Sequence, residues 1–351
     1  MNLTITTACP LRCRYCFIQK DSGPDLDPGD AEGAVRMFLG SPGRRKGLKI
    51  YGGEPLSRFA LLSAVARSAK REARRLEKDL FLGVCSNGVL LDEQKLEFLA
   101  REGIHLSLSL SGSKGSHDRS RVTGTGAGSF DRIARRLPAA FRILGPRRLV
   151  ALMCVDPAAA GSAFDDFKEL AGMGFEVINV EVVHGFEWDD QALAAFGEAL
   201  ERISEHVLAE AGRGRLIFAE PFLRYIRGED TAFEVCPLHS SLCVFPDGSY
   251  SLYPHPFLDP RAIDRKTIGH ARRGLEGRFG ACGFDAASQE CRSCASRYYD
   301  PAPLSYGVSA FRQRCRAFKR LARDVVAGAG EDPALRAYLK EGLRRVLSYQ
   351  A

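Results

Sequence analysis

The first half of the chain is a succession of short apolar runs, each followed by a longer stretch whose apolar positions return at helical spacing. The runs predict strands over Leu3–Thr7, Leu48–Tyr51, Leu80–Cys85, His105–Leu110, Arg148–Val155 and Glu176–Val183. The stretches between them predict helices, among them Pro28–Gly40, Arg58–Lys78, Asp92–Glu102 and Phe164–Met173. Strand and helix in alternation imply an α/β fold with a parallel sheet covered by helices. Six such units are too few for an eight-fold barrel and enough for a partial (β/α)6, TIM-like barrel. In such folds chemistry gathers where strands end and loops begin.

Residues 1–185 are read as this barrel. Residues 186–230 form a helical connector built on Gln191–Ala211, with a soft boundary at Gly212-Arg213-Gly214. Residues 231–351 are richer in Cys, Pro and aromatics and form a small cysteine-rich domain followed by terminal helices. Pro246-Asp247-Gly248-Ser249 carries a hairpin signal, and Gly328–Pro333 interrupts the last helical stretch. No repeat or low-complexity tract is visible.

Composition adds little to this outline until the cysteines are counted. The length, 351 residues, suits two domains, and 45% hydrophobic with 26% charged residues is an ordinary globular balance. No run reaches the about 18 apolar residues that a membrane span needs, so no membrane partner is expected. The N-terminus lacks a basic stretch followed by an apolar one, so a cytoplasmic location is expected. The net charge of +7 would admit a nucleic-acid partner on charge alone. Basic solvated helix faces that attract an acidic substrate explain it more simply. The eleven cysteines do change the picture, because their number is odd and no export signal accompanies them. Three lie within the first sixteen residues and six between Cys236 and Cys315. Cys85 and Cys154 stand apart in apolar runs and are read as small buried core residues. Thiols grouped in this way point to metal.

Cys9-Pro-Leu-Arg-Cys13-Arg-Tyr-Cys16 follows the first strand with the spacing C-x3-C-x2-C. Three thiolates cannot fill a four-iron cluster, so one iron stays open to chelation by an amino acid's amino and carboxylate groups. A structural zinc would require a fourth ligand, and this loop supplies none. Tyr51-Gly52-Gly53-Glu54-Pro55 follows the second strand. Its glycines let a ligand lie against the backbone, and its carboxylate can accept from a bound ammonium. Cys85-Ser86-Asn87-Gly88 ends the third strand. Ser109-Leu110-Ser111-Gly112, then His117-Asp118 and Arg121, end the fourth.

In this order the motifs resemble the radical S-adenosylmethionine (SAM) superfamily, in the branch with a SPASM or twitch auxiliary domain and peptide-modifying members. The resemblance implies that Cys9, Cys13 and Cys16 hold a [4Fe-4S] cluster and that Tyr15 and Phe17 border the adenine. It implies that Gly52, Gly53 and Glu54 meet the methionine end of SAM, with Ser86 and Asn87 beside them. Ser109 and Arg121 fall at positions that contact the ribose and carboxylate, and Val182 at one that packs on the adenine. Ser111 departs from the family, which often has Asp there.

The same branch carries one or two auxiliary clusters. Cys236 and Cys243 match its opening cysteine pair, and Asp247-Gly248 its turn, but Tyr253-Pro254-His255 stands where Pro-Cys is expected. Cys291-x2-Cys294 is followed by Asp300 where a thiol is expected, and Cys315 matches the last position. This resembles the Asp-ligated auxiliary cluster of the enzyme that crosslinks the pyrroloquinoline-quinone precursor peptide. One partition therefore gives a complete site of Cys291, Cys294, Asp300 and Cys315. Cys236 and Cys243 then belong to a second site, joined by His255 or Cys282. The other partition is a single twitch-type cluster on Cys236, Cys243, Cys291 and Cys294. His255 is read alternatively as a catalytic base beside the substrate, and zinc remains an alternative for Cys291-x2-Cys294.

The resemblance implies reductive cleavage of SAM and hydrogen abstraction from a peptide or protein, with crosslinking, epimerisation or oxidation as outcomes. The electron would come from an external flavodoxin- or ferredoxin-like donor. A peptide would be recruited by a separate leader-binding protein or by the barrel, since Cys9 leaves no room for a preceding leader-binding domain. The competing readings are a radical SAM dehydrogenase of a small alcohol and a non-catalytic iron–sulfur sensor. Glu54 and Arg121 argue against the sensor, which needs no SAM pocket.

Overall fold

The computed structural model describes residues 1–21, 23–41, 43–183, 185–219, 242–251, 267–276 and 308–349. Its barrel strands are β1 (Asn2–Thr4), β2 (Arg45–Tyr51), β3 (Asp79–Ser86), β4 (His105–Ser109), β5 (Leu149–Val155) and β6 (Val177–Val182). They pair in sequence order, every neighbour parallel, and a short β7 (Phe218–Ala219) continues the series beside β6. This is the open, partial barrel that the alternation predicts. Helices α1 (Pro28–Gly40), α2 (Phe59–Arg75), α3 (Glu93–Arg101), α7 (Ala163–Gly172) and α8 (Asp190–Gly212) follow successive strands. The short α4 (Lys114–Ser120), α5 (Phe130–Ala134) and α6 (Leu137–Leu144) fill the β4–β5 crossover.

Local chemistry sets the helix starts. Asp27 accepts from the Gly29 amide at 2.9 Å, Asp92 from Lys95 at 2.8 Å and Asp189 from Ala192 at 2.7 Å. Each satisfies an N–H that the first helical turn leaves open. The predicted helix over Arg58–Lys78 begins instead with a 3-10 turn, Pro55–Arg58, because Glu54 caps that turn through the Leu56 amide. The first strand is also shorter than predicted. Past Thr4 the chain stays extended and pairs with the end of β2 through Ile5 N to Tyr51 O at 3.0 Å.

The strands' helix-facing residues form the core. Leu48, Ile50, Val84, Leu106, Leu108, Ala151, Met153, Ile178 and Val180 are buried against α-helical residues such as Leu62, Leu99 and Phe167. Their neighbours along each strand point to the open side, as period-two alternation requires. There the residues are polar or half-buried: Lys49, Cys85, Ser107, Ser109, Cys154, Asn179 and Glu181.

The later part of the chain joins the same sheet. β8 (Cys243–Val244) pairs with β1 in parallel, Asn2 opposite Cys243. β9 (Ser249–Ser251), β10 (Gly269–His270) and β11 (Gly274–Leu275) extend it antiparallel. The β8–β9 turn is the predicted hairpin: Gly248 has φ 82°, and its N–H reaches Phe245 O at 2.9 Å. Arg272 Nε donates to Asp30 Oδ1 on α1 at 2.7 Å. At the other edge, β7 covers only Val177 and Ile178, and α9 (Val308–Gly328) takes over. Its Arg314 donates to Val180 O at 2.7 Å and to Glu181 Oε2 at 3.0 Å. α10 (Pro333–Tyr349) sends the Tyr338 hydroxyl to Ile217 O at 2.7 Å and Arg345 to Glu341 and Glu176. Among the described residues no helix is long and apolar enough to cross a membrane.

Candidate active site at the strand ends

The cysteine loop is held from two sides. Toward β2, Gly53 N donates to Thr6 O and Glu54 N to Ala8 O, both at 2.8 Å. A Cβ on Gly52 would lie 2.7 Å from Thr6 O, and one on Gly53 2.4 Å from Ala8 O. The two glycines are thus required by the passage of one backbone against another. Toward the β4 crossover, Arg12 N donates to Val122 O at 2.7 Å and Arg14 N to Ser120 O at 2.9 Å. Cys9, Cys13 and Cys16 are all half-buried free thiols. Donors converge on two of the sulfurs. Leu11 N and Asn87 Nδ2 each lie 3.4 Å from Cys9 Sγ, and Lys20 Nζ lies 2.7 Å from Cys16 Sγ. Burial raises the Cys9 and Cys13 thiols above their ordinary range, opposed at Cys9 by the Leu11 amide and at Cys13 by the Arg121 charge.

Glu54 is 0% exposed. Its Oε1 accepts from Leu56 N at 3.0 Å and Ser86 Oγ at 2.8 Å, and its Oε2 from Asn87 N at 2.7 Å. The sequence reading gave this carboxylate a bound ammonium as partner; in the fold both oxygens are engaged by the protein. Glu54 therefore ties the β2 loop to the β3 loop and orients Asn87, whose amide reaches Cys9. Burial pushes the carboxyl up to about 7, against the three donors, which favour the anion.

Arg121 lies across the loop, 5% exposed. Its Nε is 3.3 Å from Ser111 Oγ, its Nη2 3.3 Å from Cys154 Sγ, and its guanidinium 5.3 Å from the Tyr15 ring centroid. Ser111, the departure noted in the sequence, is a direct partner of this arginine. The surrounding motif serves to hold it. His117, 0% exposed, accepts from Ser111 N through Nδ1 and lies 2.9 Å from Ser129 Oγ through Nε2. Ser129 in turn donates to Arg121 O at 2.9 Å. Asp118 accepts from the Ser129 and Phe130 amides at 2.8 and 2.9 Å. Gly128 is needed because a Cβ there would come within 2.2 Å of the Asp118 carboxylate. Burial lowers His117 to about 3, so the imidazole is neutral at ordinary pH.

The remaining assignments divide. Phe17, 37% exposed, stacks on Tyr51 with centroids 6.5 Å apart, at the mouth of the barrel. Ser109 is half-buried at the end of β4. Val182 is 1% exposed and belongs to the hydrophobic core. Strand alternation turns it toward the helices, so on β6 the open side is carried by Asn179 and Glu181. Cys85 and Cys154, read as core residues, are half-buried on the open side instead, Cys154 against Arg121. Their places one residue along the strand from the core-facing Val84 and Met153 are the signal that distinguishes them. Lys20 belongs to none of the motifs read in the sequence, and the fold of its loop brings it to Cys16. Of the residues that the sequence suggests as auxiliary ligands, Cys243 is buried on β8 and Cys315 half-buried on α9. Cys236, His255, Cys282, Cys291, Cys294 and Asp300 lie outside the described residues.

Residues 3–157 match the Radical SAM superfamily. Within that stretch the chain is similar to members of this superfamily. In fold the chain resembles native anSMEcpe with bound AdoMet, at a TM-score of 0.70 and 15% identity, covering 97% of this chain and 98% of that one. Streptococcus suis SuiB bound to S-adenosylmethionine gives 0.53 and 16% identity over 92% of this chain and 68% of that one. In sequence, the PqqA peptide cyclase of Gluconobacter oxydans is 37% identical over 112 residues, 30% of this chain and 28% of the cyclase. That of Granulibacter bethesdensis is 31% identical over 112 residues, 30% of this chain and 27% of the cyclase. The matched stretch thus spans little more than a quarter of these relatives.

The donor set fits an iron–sulfur cluster. Three thiols on one loop, with N–H donors aimed at two of their sulfurs, suit thiolate ligation and its outer shell. Among the described residues no group of three His, Cys, Asp or Glu side chains is gathered closely enough to hold a single metal ion.

Proposed function

We propose that this protein is a radical SAM enzyme that removes a hydrogen atom from a peptide or protein substrate. The observation that carries the reading is the facing of two elements across the strand ends. On one side stand Cys9, Cys13 and Cys16 with their hydrogen-bond donors, and on the other the buried Arg121 fork. When bound, the cluster and SAM supply a 5′-deoxyadenosyl radical. The chain's own residues do the rest. Cys9, Cys13 and Cys16 would hold the cluster and leave one iron for SAM, and Arg121 would offer its planar fork to the SAM carboxylate or ribose. Tyr15 and Phe17 border the base, and the ends of β1–β6 shield the reacting atoms from water.

Support for a peptide comes from the company the chain keeps: PqqA peptide cyclases in sequence, and in fold anSMEcpe with AdoMet and the Kp18Cys peptide (TM-score 0.70, 15% identity). On this reading an external low-potential donor delivers the electron. Cys236, Cys243, Cys291, Cys294, Asp300 and Cys315 hold one or two auxiliary clusters, and His255 acts beside the substrate. The test is to incubate anaerobically reconstituted enzyme with reductant, SAM and the short peptides encoded beside it, following 5′-deoxyadenosine and peptide mass. A loss of two hydrogens signifies crosslinking or oxidation, and one solvent deuterium gained signifies epimerisation. Consumption of a small alcohol in step with 5′-deoxyadenosine, with every peptide unchanged, would replace the peptide reading.

A further inference from the structure

The donors on the two cysteine sulfurs differ in charge. Cys9 receives a backbone amide and the Asn87 carboxamide, both neutral. Cys16 receives the Lys20 ammonium at 2.7 Å. Lys20 sits one helical turn's length along the sequence from Cys16, on the loop that leaves the cluster motif, and is half-buried. Its charge acts on Cys9, Cys13 and Glu54 as well. The carboxylate of Glu54 has its hydrogen bonds with Leu56 in its own turn and with Ser86 and Asn87 in the β3 loop.

We infer that Lys20 is a positioning residue for the cluster electron: its ammonium, hydrogen-bonded to the Cys16 sulfur, raises the reduction potential of the cluster on Cys9, Cys13 and Cys16. The inference rests on the cofactor reading above. Reduction adds one electron, taken from an external low-potential donor, to a centre already bearing three thiolates; no bond breaks. Each added negative charge is costly in a half-buried site, and a cation at hydrogen-bond distance stabilises the reduced form more than the oxidised one. A neutral side chain at position 20 leaves that electron uncompensated. The neutral donors on Cys9 cannot substitute, since they carry dipoles and no net charge.

The experiment is an EPR-monitored redox titration, without SAM, of the full-length reconstituted protein and its Lys20→Met and Lys20→Arg variants. The relevant signal is the one that Cys13→Ala removes. Lys20→Met should be at least tenfold harder to reduce at a given potential, a shift of about 59 mV downward for one electron, while Lys20→Arg stays within threefold of wild type. Equal midpoints for wild type and Lys20→Met would overturn the inference, as would Lys20→Arg shifting as far as Lys20→Met. If Lys20→Met fails to retain iron, Lys20→Gln is titrated and judged by the same criterion. Failure of the underlying cofactor reading looks different: no cluster signal would then depend on Cys13.

Discussion

Cys9 and Cys243 flank the two ends of the same strand in opposite surroundings. Cys9 lies on the loop after β1, half-buried, with two neutral N–H groups on its sulfur. Cys243 stands opposite Asn2 at the start of β1, 5% exposed, and burial pushes its thiol up to about 11. Loop geometry gives the first thiol room for a ligand and donors that favour a thiolate. Sheet packing gives the second the environment of a neutral core thiol. The backbone that carries each cysteine therefore sets how readily its thiol gives up a proton.

The sharpest way to break this contrast is at the loop. Cys13→Ala should abolish the SAM-dependent cluster and all 5′-deoxyadenosine release, read by iron content and product assay, while the fold measured by circular dichroism persists. Full retention of SAM cleavage would remove the loop from the chemistry.

Next in size is Glu54→Gln. The carboxylate satisfies donors at both oxygens, whereas an amide offers one acceptor oxygen and opposes its own N–H to the Asn87 amide. The expected cost is about 1–3 kcal/mol in denaturant unfolding of the apoprotein, with weakened iron retention because Asn87 no longer holds its place against Cys9. Unchanged stability together with lost SAM affinity would return Glu54 to the direct ligand contact read from the sequence.

A pH-dependent effect isolates the support of Arg121. His117 is held at about 3 in the fold against about 6.5 unfolded. Its contribution to stability is complete above about 6.5 and is lost as pH falls toward about 3, because only the unfolded chain takes up the proton there. The stability difference between wild type and His117→Phe should therefore shift by about 1.4 kcal/mol per pH unit within that window. Glu54, raised to about 7, has the opposite slope between about 4.5 and 7, and it cancels in the difference. A pH-independent difference would show His117 to be charged in the fold.

The smallest effect is expected at the other end of β1. Cys243→Ser should cost about 1–2 kcal/mol of stability and leave the Cys9–Cys13–Cys16 signal intact. On the auxiliary-cluster reading it also lowers the iron and sulfide of protein lacking the three loop cysteines; unchanged iron there would leave Cys243 a core thiol and not a ligand.

Alternation along each strand and the spacing of Cys9, Cys13 and Cys16 were readable directly. Both are local: period two sets which residues meet the helices, and a loop of eight residues brings its own thiols together. The identity of the Arg121 segment was readable too, as a motif, but the reasons for its parts were not. Asp118, Gly128 and Ser129 matter through hydrogen bonds that close only when the β4 crossover folds back on itself. The same holds for Glu54, whose partners Ser86 and Asn87 lie about thirty residues away and arrive only through the pairing of β2 with β3. Cys154 and Val182 show the limit most clearly. Both sit in apolar runs, and only the sheet's two faces determine that the thiol turns to the open side, beside Arg121, and the valine to the core. Composition and spacing thus determine which chemistry this chain can support. Which side chain faces ligand, core or neighbouring loop is decided by strand register and crossover packing, because those contacts join residues that the linear sequence keeps far apart.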